Sequence, residues 1–352
     1  MSNPPPLRVL LTGAAGFIGS SLARGLLERG HRVQGLDDLS GGWPERLPDH
    51  PRLELEVRDV SEPGVLAEVL ARGASDGAPF DHLVHLAARV GVRSVLRDPE
   101  GCRAANLRGV REIVAAVAEL GPENRPRVWA ASSSEVYAPS TQPLREGDAT
   151  RDTRAGGRWA YAASKLRGEE ILDEAAALWP AARGPVHLRF FNVVGPGQDA
   201  ETGMVLPTFV EAALAGRSLP VHGDGSQVRT FALVDEVARV LRELLERDDL
   251  EAGPLNVGGA ARTSILELAR EVSARAPVPC TLEFTDPRRS HGANFEGIAH
   301  REPELGRLRA SGALLPSAPL ARIVDETLRL HAERARPAGR AARPAACASP
   351  AS

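Results

Sequence analysis

The sequence has 352 residues, 43% of them hydrophobic and 25% charged, with a formal net charge of −3. This length is enough for one large or two ordinary globular domains that bury a hydrophobic core. The nearly neutral charge gives no electrostatic basis for binding nucleic acid or a membrane surface, and no apolar run is long enough to cross a bilayer.

The N-terminal stretch MSNPPPLRVLLTG contains no basic region followed by an apolar one and a small-residue cleavage site. It does not have the pattern of a signal peptide, so we expect a cytoplasmic protein. The three cysteines, Cys102, Cys280 and Cys347, lie far apart and lack metal-ligand spacing. This usage is typical of a reducing compartment and predicts no metal site.

Six short apolar segments are predicted to be β-strands, with helical stretches between them. Most are continuously apolar, which is typical of parallel strands covered by helices on both faces. The stretch NLRGVREIVAAVAEL places Leu107, Val110, Val114 and Val117 on one helical stripe. This alternation predicts an α/β fold with a Rossmann-type doubly wound parallel sheet. The predicted strands cover residues 7–12, 31–37, 53–59, 82–87, 127–132 and 186–192.

The pattern changes after about residue 193, where longer loops such as GPGQDAETG, VHGDGSQ and GPLNVGG occur. We therefore predict a sheet domain over residues 7–186 and a smaller α/β region over 187–333, interleaved with the sheet. The stretch 334–352 is rich in Ala, Pro, Arg and Ser without periodicity. It is predicted to be a disordered tail.

A glycine-rich loop follows the first predicted strand in the stretch LRVLLTGAAGFIGSSLARGLLERG. Gly13, Gly16 and Gly19 permit a tight turn, let backbone N–H groups approach a pyrophosphate, and let the next helix pack on the strand. The spacing is G-x-x-G-x-x-G, not the G-x-G-x-x-G of ordinary dehydrogenases. The strand before the loop and the amphipathic helix after it are the context that a dinucleotide-binding site requires.

Asp37 ends the second predicted strand, 18 positions after Gly19. A carboxylate there can accept hydrogen bonds from both ribose hydroxyls of adenosine and would repel a 2′-phosphate, which favours NAD over NADP. A solvated acid at a strand end is the alternative, and the neighbouring Asp38 could share or take the role. Asp59, which closes the third predicted strand, is a candidate for binding the adenine edge.

Tyr161 and Lys165 lie four positions apart at a predicted helix start, and therefore on one face. A phenol titrates near ~10, too high for a base at neutral pH, but a cation beside it and the positive nicotinamide of bound NAD favour the phenolate. Such a group can accept the proton of a substrate hydroxyl while hydride leaves the same carbon. Y-x-x-x-K alone is common on helix surfaces, and the glycine loop and Ser133 upstream make the assignment specific.

With these residues the sequence resembles the NAD-dependent epimerase/dehydratase family, extended short-chain dehydrogenases/reductases that act on nucleotide sugars. The matching stretches occur in the family's order and span roughly residues 7 to 330. They are TGAAGFIG, LDDLSGG, VHLAARVGVRSVLRDP, ASSSEVYA, RWAYAASK, RFFNVVGPGQ, GMVLPTFV and VHGDGSQVRTF, with FEGIAHREPELGRL as a weaker match.

The resemblance implies a role for each matching position. It makes residues 7–186 the NAD-binding domain and 187–333 the nucleotide-sugar region, and it implies a tightly held NAD and a homodimer. Ser133 would hydrogen-bond the reacting hydroxyl, with Tyr161 as the acid/base. The residues implied to hold NAD are Gly13, Gly16, Phe17, Ile18, Gly19, Asp37, Asp59, Leu86, Ala87 and Lys165. Those implied to contact the nucleotide diphosphate are Asn192, Val205, Leu206 and Arg229, with Arg289 or Arg301 as a second arginine.

Four departures from the family's pattern bear on the sugar rather than on the fold or cofactor. Thr230 stands where an aspartate commonly follows the arginine, and Ala138 replaces a glycine. ALVDEV replaces the commoner HVDDV. Val193 and Val194 are unusually apolar for a turn that faces substrate.

Glu135 decides between the reactions that this resemblance implies. All begin with transfer of the C4 hydroxyl proton to Tyr161 and of hydride from C4 to NAD, which gives a 4-keto sugar. Return of hydride to the other face is 4-epimerisation of a UDP-hexose or UDP-hexuronate, the favoured interpretation. A carboxylate that reaches C5 would allow dehydration, and Ser134-Glu135 also resembles the pair of nucleotide-sugar decarboxylases. Ser134 is a poor general acid, and Glu135 could simply cap the loop.

Two other functional classes are alternatives to a nucleotide-sugar enzyme. A protein of this fold could be a non-catalytic, NAD-sensing or RNA-binding regulator, although intact Ser133, Tyr161 and Lys165 and the lack of a basic patch argue against it. A plain NAD-dependent dehydrogenase is the other alternative. Retention of NAD during purification would favour a redox-neutral reaction instead.

Overall fold

The protein is described from a computed structural model, over residues 5–180, 183–199, 202–247, 249–286 and 297–335. Short 3-10 turns connect several of the elements. The strands are β1 (Arg8–Thr12), β2 (Arg32–Asp37), β3 (Leu53–Val57), β4 (His82–His85), β5 (Arg127–Ser133), β6 (Val186–Phe191), β7 (Val193–Val194), β8 (Leu219–His222), β9 (Val228–Thr230), β10 (Ala232–Leu233), β11 (Gly253–Gly258), β12 (Arg262–Ser264), β13 (Leu282–Thr285) and β14 (His300–Arg301). The helices are α1 (Phe17–Glu28), α2 (Val65–Ser75), α3 (Val92–Arg97), α4 (Pro99–Ala118), α5 (Ala160–Glu174), α6 (Val205–Leu214), α7 (Val234–Arg247), α8 (Ile265–Arg275), α9 (Gly306–Ala310) and α10 (Leu320–Ala335).

A seven-stranded sheet forms the centre, in the order β11-β6-β5-β4-β1-β2-β3. Each neighbouring pair is parallel. Its strands are mostly buried because helices cover both faces, which is why they appear in the sequence as unbroken apolar runs. The predicted Rossmann-type sheet is confirmed, and each of the six predicted strands is present with ends shifted by at most two residues.

The two faces of the sheet carry separate hydrophobic layers. On one face, Leu22 of α1 and Leu241 of α7 belong to one buried cluster. On the other, Leu66 of α2, Ile113 of α4 and Leu172 of α5 belong to a second. Burying such side chains contributes roughly 1.5–3 kcal/mol each relative to exposure. Each helix therefore has a fixed orientation relative to the strand ends.

The interpretation of GPLNVGG as a loop was wrong. This stretch forms β11, which pairs in parallel with β6 from Gly253 to Gly258 and completes the sheet at that edge. Glycine, proline and asparagine are poor strand formers, so the local sequence resembles a turn. Pairing with β6 and burial of Leu255 and Val257 override this preference.

The region after β6 adds small strand pairs and helices to the carboxyl end of the sheet. Strands β8 and β13 pair in parallel, and β12, β9 and β14 form a three-stranded sheet. Helices α6, α8 and α10 share a third apolar cluster. Of the predicted tail 334–352, residues 336–352 lie outside the described residues, and α10 continues to Ala335. The boundary at residues 186 and 187 stays a prediction.

Candidate active site

The candidate site lies at the carboxyl ends of the central strands. Strand β1 lies between β2 and β4, so the strand order reverses there. In open α/β sheets the crevice at such a reversal is where ligands bind. Thr12, Asp37 and Ser133 end β1, β2 and β5, and Asn192 follows β6 directly. The topology therefore brings four sequence-distant segments to one edge.

The glycine loop is too tightly packed for larger residues. Gly13 has a φ of +72°, and a Cβ there would lie 2.7 Å from the backbone nitrogen of Ala87. A Cβ on Gly19 would lie 2.0 Å from the Gly13 carbonyl oxygen. The loop can therefore carry backbone, but not side chains, against a ligand.

The start of α1 and the end of β2 have the polar groups that a dinucleotide needs. Gly16 caps α1 without a side-chain hydrogen bond, so the first amides of Phe17 and Ile18 remain for a pyrophosphate. The Asp37 carboxylate accepts backbone N–H groups of Ala15 and Leu39, each at 2.9 Å. Burial raises the pKa of Asp37, and these two bonds oppose the shift. Each oxygen retains a lone pair for a ribose hydroxyl.

The opposite side of the crevice is formed where β4 ends. The backbone N–H groups of Leu86 and Ala87 donate to the carbonyl and the hydroxyl oxygen of Thr12. The same hydroxyl is hydrogen-bonded to Nδ1 of His85 at 2.8 Å. Burial, followed by the nearby charge of Lys165, lowers the pKa of His85 to about 3, so the imidazole is neutral. Asp59 accepts the N–H of Ser61.

Ser133, Tyr161 and Lys165 converge beside this crevice. Ser133 ends β5, and α5 begins one residue before Tyr161. The Ser133 hydroxyl lies close enough to the Tyr161 phenol to influence the pKa of that phenol. Lys165 lies one helical turn further, buried, with Nζ 5.9 Å from the centre of the Tyr161 ring. The geometry brings the three residues together as a hydroxyl pair next to a cation.

Burial acts on the two titrating groups in opposite directions. Burial raises the pKa of the Tyr161 phenol, as does the charge of Glu135, while the Ser133 side chain lowers it. It lowers the pKa of Lys165 to about 8, against the influence of Cys102 and Glu169. The phenol therefore depends on the Lys165 charge, and on that of bound NAD, to act as a base near neutral pH.

We expect kcat/KM to fall as the pH rises above about 8, because Lys165 then loses the proton whose charge favours the phenolate. A pH–rate profile at subsaturating substrate measures this. The matched variant Lys165→Arg keeps its charge at every accessible pH and should lose the decline, though at a lower rate. An unchanged decline in Lys165→Arg would rule out Lys165 as the group that titrates.

The Glu135 carboxylate is engaged by two arginines. Its Oε1 accepts Arg301 Nη1 at 2.9 Å, and Arg158 Nη1 lies 3.8 Å from Oε2. Its backbone N–H donates to the Ser133 hydroxyl. Burial raises the pKa of Glu135, but the charges of Arg301 and then Arg158 outweigh burial and leave the pKa below its usual range. Glu135 is therefore ionised and a poor proton donor.

Asn192 and two arginines lie next to Glu135. The Arg301 fork also donates to Asn192 Oδ1 at 2.7 Å, while Asn192 itself has a φ of +33°. Asparagine tolerates this left-handed conformation better than most residues. Arg229 donates to the carbonyls of Val228, Ile298 and Ala299, and burial followed by the charge of Arg301 lowers its pKa to about 9.

The remaining predicted substrate residues differ in position. Val205 and Leu206 begin α6, and the Leu206 side chain is fully buried, so its contact with a ligand would be made by backbone. Arg289 lies outside the described residues. Arg301, the other candidate for the second arginine, is in the same cluster as Asn192 and Glu135.

Sequence reasoning missed several residues near the site. Arg158 lies three positions before Tyr161, and with Arg151 it lies over the Trp159 ring. Arg151 Nε donates to the Glu135 carbonyl. The RW pair before Tyr161 was the only available signal, because the contacts with Glu135 depend on the fold. Within the described residues, no acidic, His or Cys cluster could hold a metal, and no helix is long and apolar enough to cross a membrane.

A family model described as the NAD dependent epimerase/dehydratase family matches residues 9–258. The chain belongs to this family. Its members are NAD-dependent enzymes, and the glycine loop, the uncapped start of α1 and Asp37 fit that cofactor. The predicted family, fold and cofactor are therefore confirmed.

The similar proteins include both isomerases and lyases. A UDP-N-acetyl-alpha-D-glucosaminuronate decarboxylase of Bacillus cytotoxicus is 31% identical over 333 residues, 91% of this chain and 96% of the relative. A UDP-glucose 4-epimerase of Mycolicibacterium smegmatis is 34% identical over 294 residues, 80% and 87% of the two chains. The structure of a UDP-N-acetylglucosamine 4-epimerase from Methanobrevibacter ruminantium, in complex with UDP-N-acetylmuramic acid, has a TM-score of 0.79 and 26% identity. That comparison covers 94% of this chain and 99% of the other.

Proposed function

We propose that the protein is an NAD-dependent 4-epimerase of a UDP-hexose or UDP-hexuronate. The observation that carries the proposal is the pairing of Glu135 with Arg301 beside an intact Ser133, Tyr161 and Lys165 set. This arrangement supplies one acid/base group for C4 and leaves no free carboxyl group for C5 among these residues. A redox-neutral return of hydride needs only the first.

In this reaction, different residues of the chain bind the diphosphate, orient the sugar and transfer the proton. Arg229 and Arg301 would hold the diphosphate, since planar guanidinium groups bind phosphate oxygens in pairs. Ser133 would orient the C4 hydroxyl, and Tyr161 would accept its proton with the support of the Lys165 charge. When bound, NAD supplies a reversible hydride acceptor for C4. After the 4-keto sugar presents its other face, Tyr161 returns the proton to the C4 oxygen.

A nucleotide-hexuronate decarboxylase is the second candidate. Among the described residues, the charges of Arg151, Arg158 and Arg301 all act on Glu135, which itself also influences Arg229. Buried cations need a counter-charge, so this excess of arginines favours a substrate with an anionic sugar as well as a diphosphate. Dehydration is less well supported, because expulsion of water requires a proton donor and Glu135 is held ionised.

We also propose that the enzyme is a cytoplasmic homodimer. The family resemblance supports the dimer. Cys102 and Cys280 are free thiols, and this supports a reducing compartment.

The experiment that separates the two reactions is product mass. The enzyme is incubated with UDP- and dTDP-linked glucose, N-acetylglucosamine and glucuronate. The masses of the products are then measured by mass spectrometry. We expect a new stereoisomer of unchanged mass. Loss of carbon dioxide would replace this function with decarboxylation, and loss of water would replace it with dehydration.

The variant Glu135→Gln tests whether the Glu135 carboxylate takes part in the reaction. If the reaction is epimerisation, its rate should fall by less than about 10-fold; if Glu135 takes part in proton transfer, by about 10²–10⁴-fold. Glu302→Gln is the control, because Glu302 pairs with Arg262 and not with Arg301. A large loss in Glu135→Gln together with a normal Glu302→Gln would contradict the epimerase mechanism.

A further inference from the structure

A short turn after β7 makes contacts with both halves of the molecule. We call residues 195–199 the strap. Gly195 and Gly197 have φ values of +134° and +92°, which larger residues rarely adopt. The N–H of Gln198 donates to the Gly195 carbonyl, and its side-chain amide donates to the Val193 carbonyl. The strap is thus a defined turn that begins three residues after Asn192.

The strap is hydrogen-bonded to the side of the cofactor crevice that contains Asp37, where adenosine would bind. Arg46 Nη2 donates to the Gly197 carbonyl at 2.7 Å. Arg46 is the last residue of the short 3-10 turn (Pro44–Arg46) in the segment that follows β2, and its charge lowers the pKa of the Asp37 carboxyl. The same segment is tied to the glycine loop, because the Trp43 N–H donates to the Ala15 carbonyl at 2.9 Å. Arg46 therefore joins the strap to the residues that would bind the ribose and pyrophosphate.

The strap is also fastened to the last helix. His331 of α10 has Nε2 3.0 Å from the Gln198 carbonyl oxygen and Nδ1 2.9 Å from that of Thr327. Helix α10 packs on α6 and α8 through a large apolar cluster, so this anchor is firm. The imidazole therefore links the strap to α10, which packs on the smaller region through α6 and α8.

The chain beyond the strap lies against the other side of the crevice. A Cβ on Gly91 would lie 3.2 Å from the Thr202 Cα, and one on Gly203 would lie 3.2 Å from Arg93 Cγ. Gly91 follows Ala87 by four residues. The strap at Gly197 thus contacts the Asp37 side of the crevice, and the residues from Thr202 onward contact the segment that follows β4.

We propose that the strap retains NAD, and that Arg46 and His331 are positioning residues that hold it closed. A 4-keto sugar is returned to product only if the same cofactor stays in place, so slow release has a direct use. NAD is the cofactor of the whole family, and its release from the protein is measured without any sugar. Retention by the strap therefore does not depend on which sugar reaction the enzyme catalyses.

The test is the dissociation rate of NAD. Protein loaded with radiolabelled NAD is mixed with excess unlabelled NAD, and the label retained on the protein is followed with time. We expect Arg46→Ala and His331→Ala each to release label about ten-fold faster or more, the scale of losing a hydrogen bond to a charged or buried group. The double variant should add little, because either loss frees the same turn.

The controls separate retention from general loosening. Arg52→Ala removes another arginine that donates to a glycine carbonyl, Gly30, away from the strap. Arg329→Ala removes an exposed ion pair on α10. Both controls should release NAD at the wild-type rate. Melting temperatures are measured alongside, since a purely structural role would lower them without a selective change in release.

Three outcomes would overturn the proposal. Release unchanged in both Arg46→Ala and His331→Ala excludes the strap as the barrier. Faster release in Arg46→Ala alone means that Arg46 acts directly through Asp37, because the Arg46 charge acts on that carboxylate whereas His331 is bonded to the Thr327 and Gln198 carbonyls. Equal acceleration in Arg52→Ala or Arg329→Ala means that any loosening of the fold suffices. A wrong sugar assignment changes none of these readings.

Discussion

Tyr161→Phe should lower kcat by about 10²–10⁴-fold, the range that a positioned acid/base group contributes. The variant removes only the hydroxyl next to Ser133, so the packing of the ring and the cofactor crevice are retained. Single-turnover assays with the best substrate of the panel measure the loss. The amount of bound NAD and the melting temperature should both stay at wild-type values.

The chain has only two tyrosines, and the second is the matched control. Tyr137 is buried and donates to Asn256 Oδ1 at 2.6 Å. Tyr137→Phe leaves that acceptor unpaired and should lower the free energy of unfolding by about 1–3 kcal/mol while kcat stays near wild type. Full activity of Tyr161→Phe would refute the assignment of the acid/base.

Glu169→Ala should lower the free energy of unfolding by about 3–5 kcal/mol, because it leaves a buried guanidinium without its partner. Arg189 Nη2 and Nε donate to the two Glu169 oxygens at 2.6 and 3.0 Å, and both side chains are almost completely buried. The Ser132 hydroxyl also donates to Glu169. Urea denaturation followed by circular dichroism measures the change.

Two further variants test whether the loss of stability comes from the unpaired buried charge. Glu174→Ala removes an exposed partner of Arg167 on the same helix and should lower the free energy of unfolding far less than Glu169→Ala, because solvent screens this pair. Replacing both buried partners, as Glu169→Leu with Arg189→Met, should cost less than Glu169→Ala alone, since no charge is left unpaired. A double variant as unstable as the single one would attribute the loss to packing rather than to the charge.

Features that depend on neighbouring residues could be predicted from the sequence. The glycine loop, Asp37 at a strand end, and the Tyr161 and Lys165 spacing each follow from local geometry, and the structure brings all of them to one edge of the sheet. The continuous apolar strands were recognisable because both faces of the sheet are covered.

Features that depend on distant residues could not. Arg301 is 166 positions from Glu135, and no local pattern indicates their pairing. Strand β11 has poor strand formers and exists because β6 offers an edge. The pairing of Glu135 matters most for function: the sequence made it a candidate proton-transfer group, whereas the guanidinium groups around it keep it ionised.

The position of β11 has a consequence for how the protein is made. The sheet that forms the cofactor crevice is completed by residues 253–258, after the chain has formed α6, α7 and four of its short strands. On a ribosome, β6 keeps an open edge until more than 60 further residues have been synthesised and have left the exit tunnel. An open parallel edge of apolar strands is a site for wrong pairing between chains. Fragments that end at residue 192, directly after β6, should therefore aggregate, and split versions of this enzyme should be divided after residue 258.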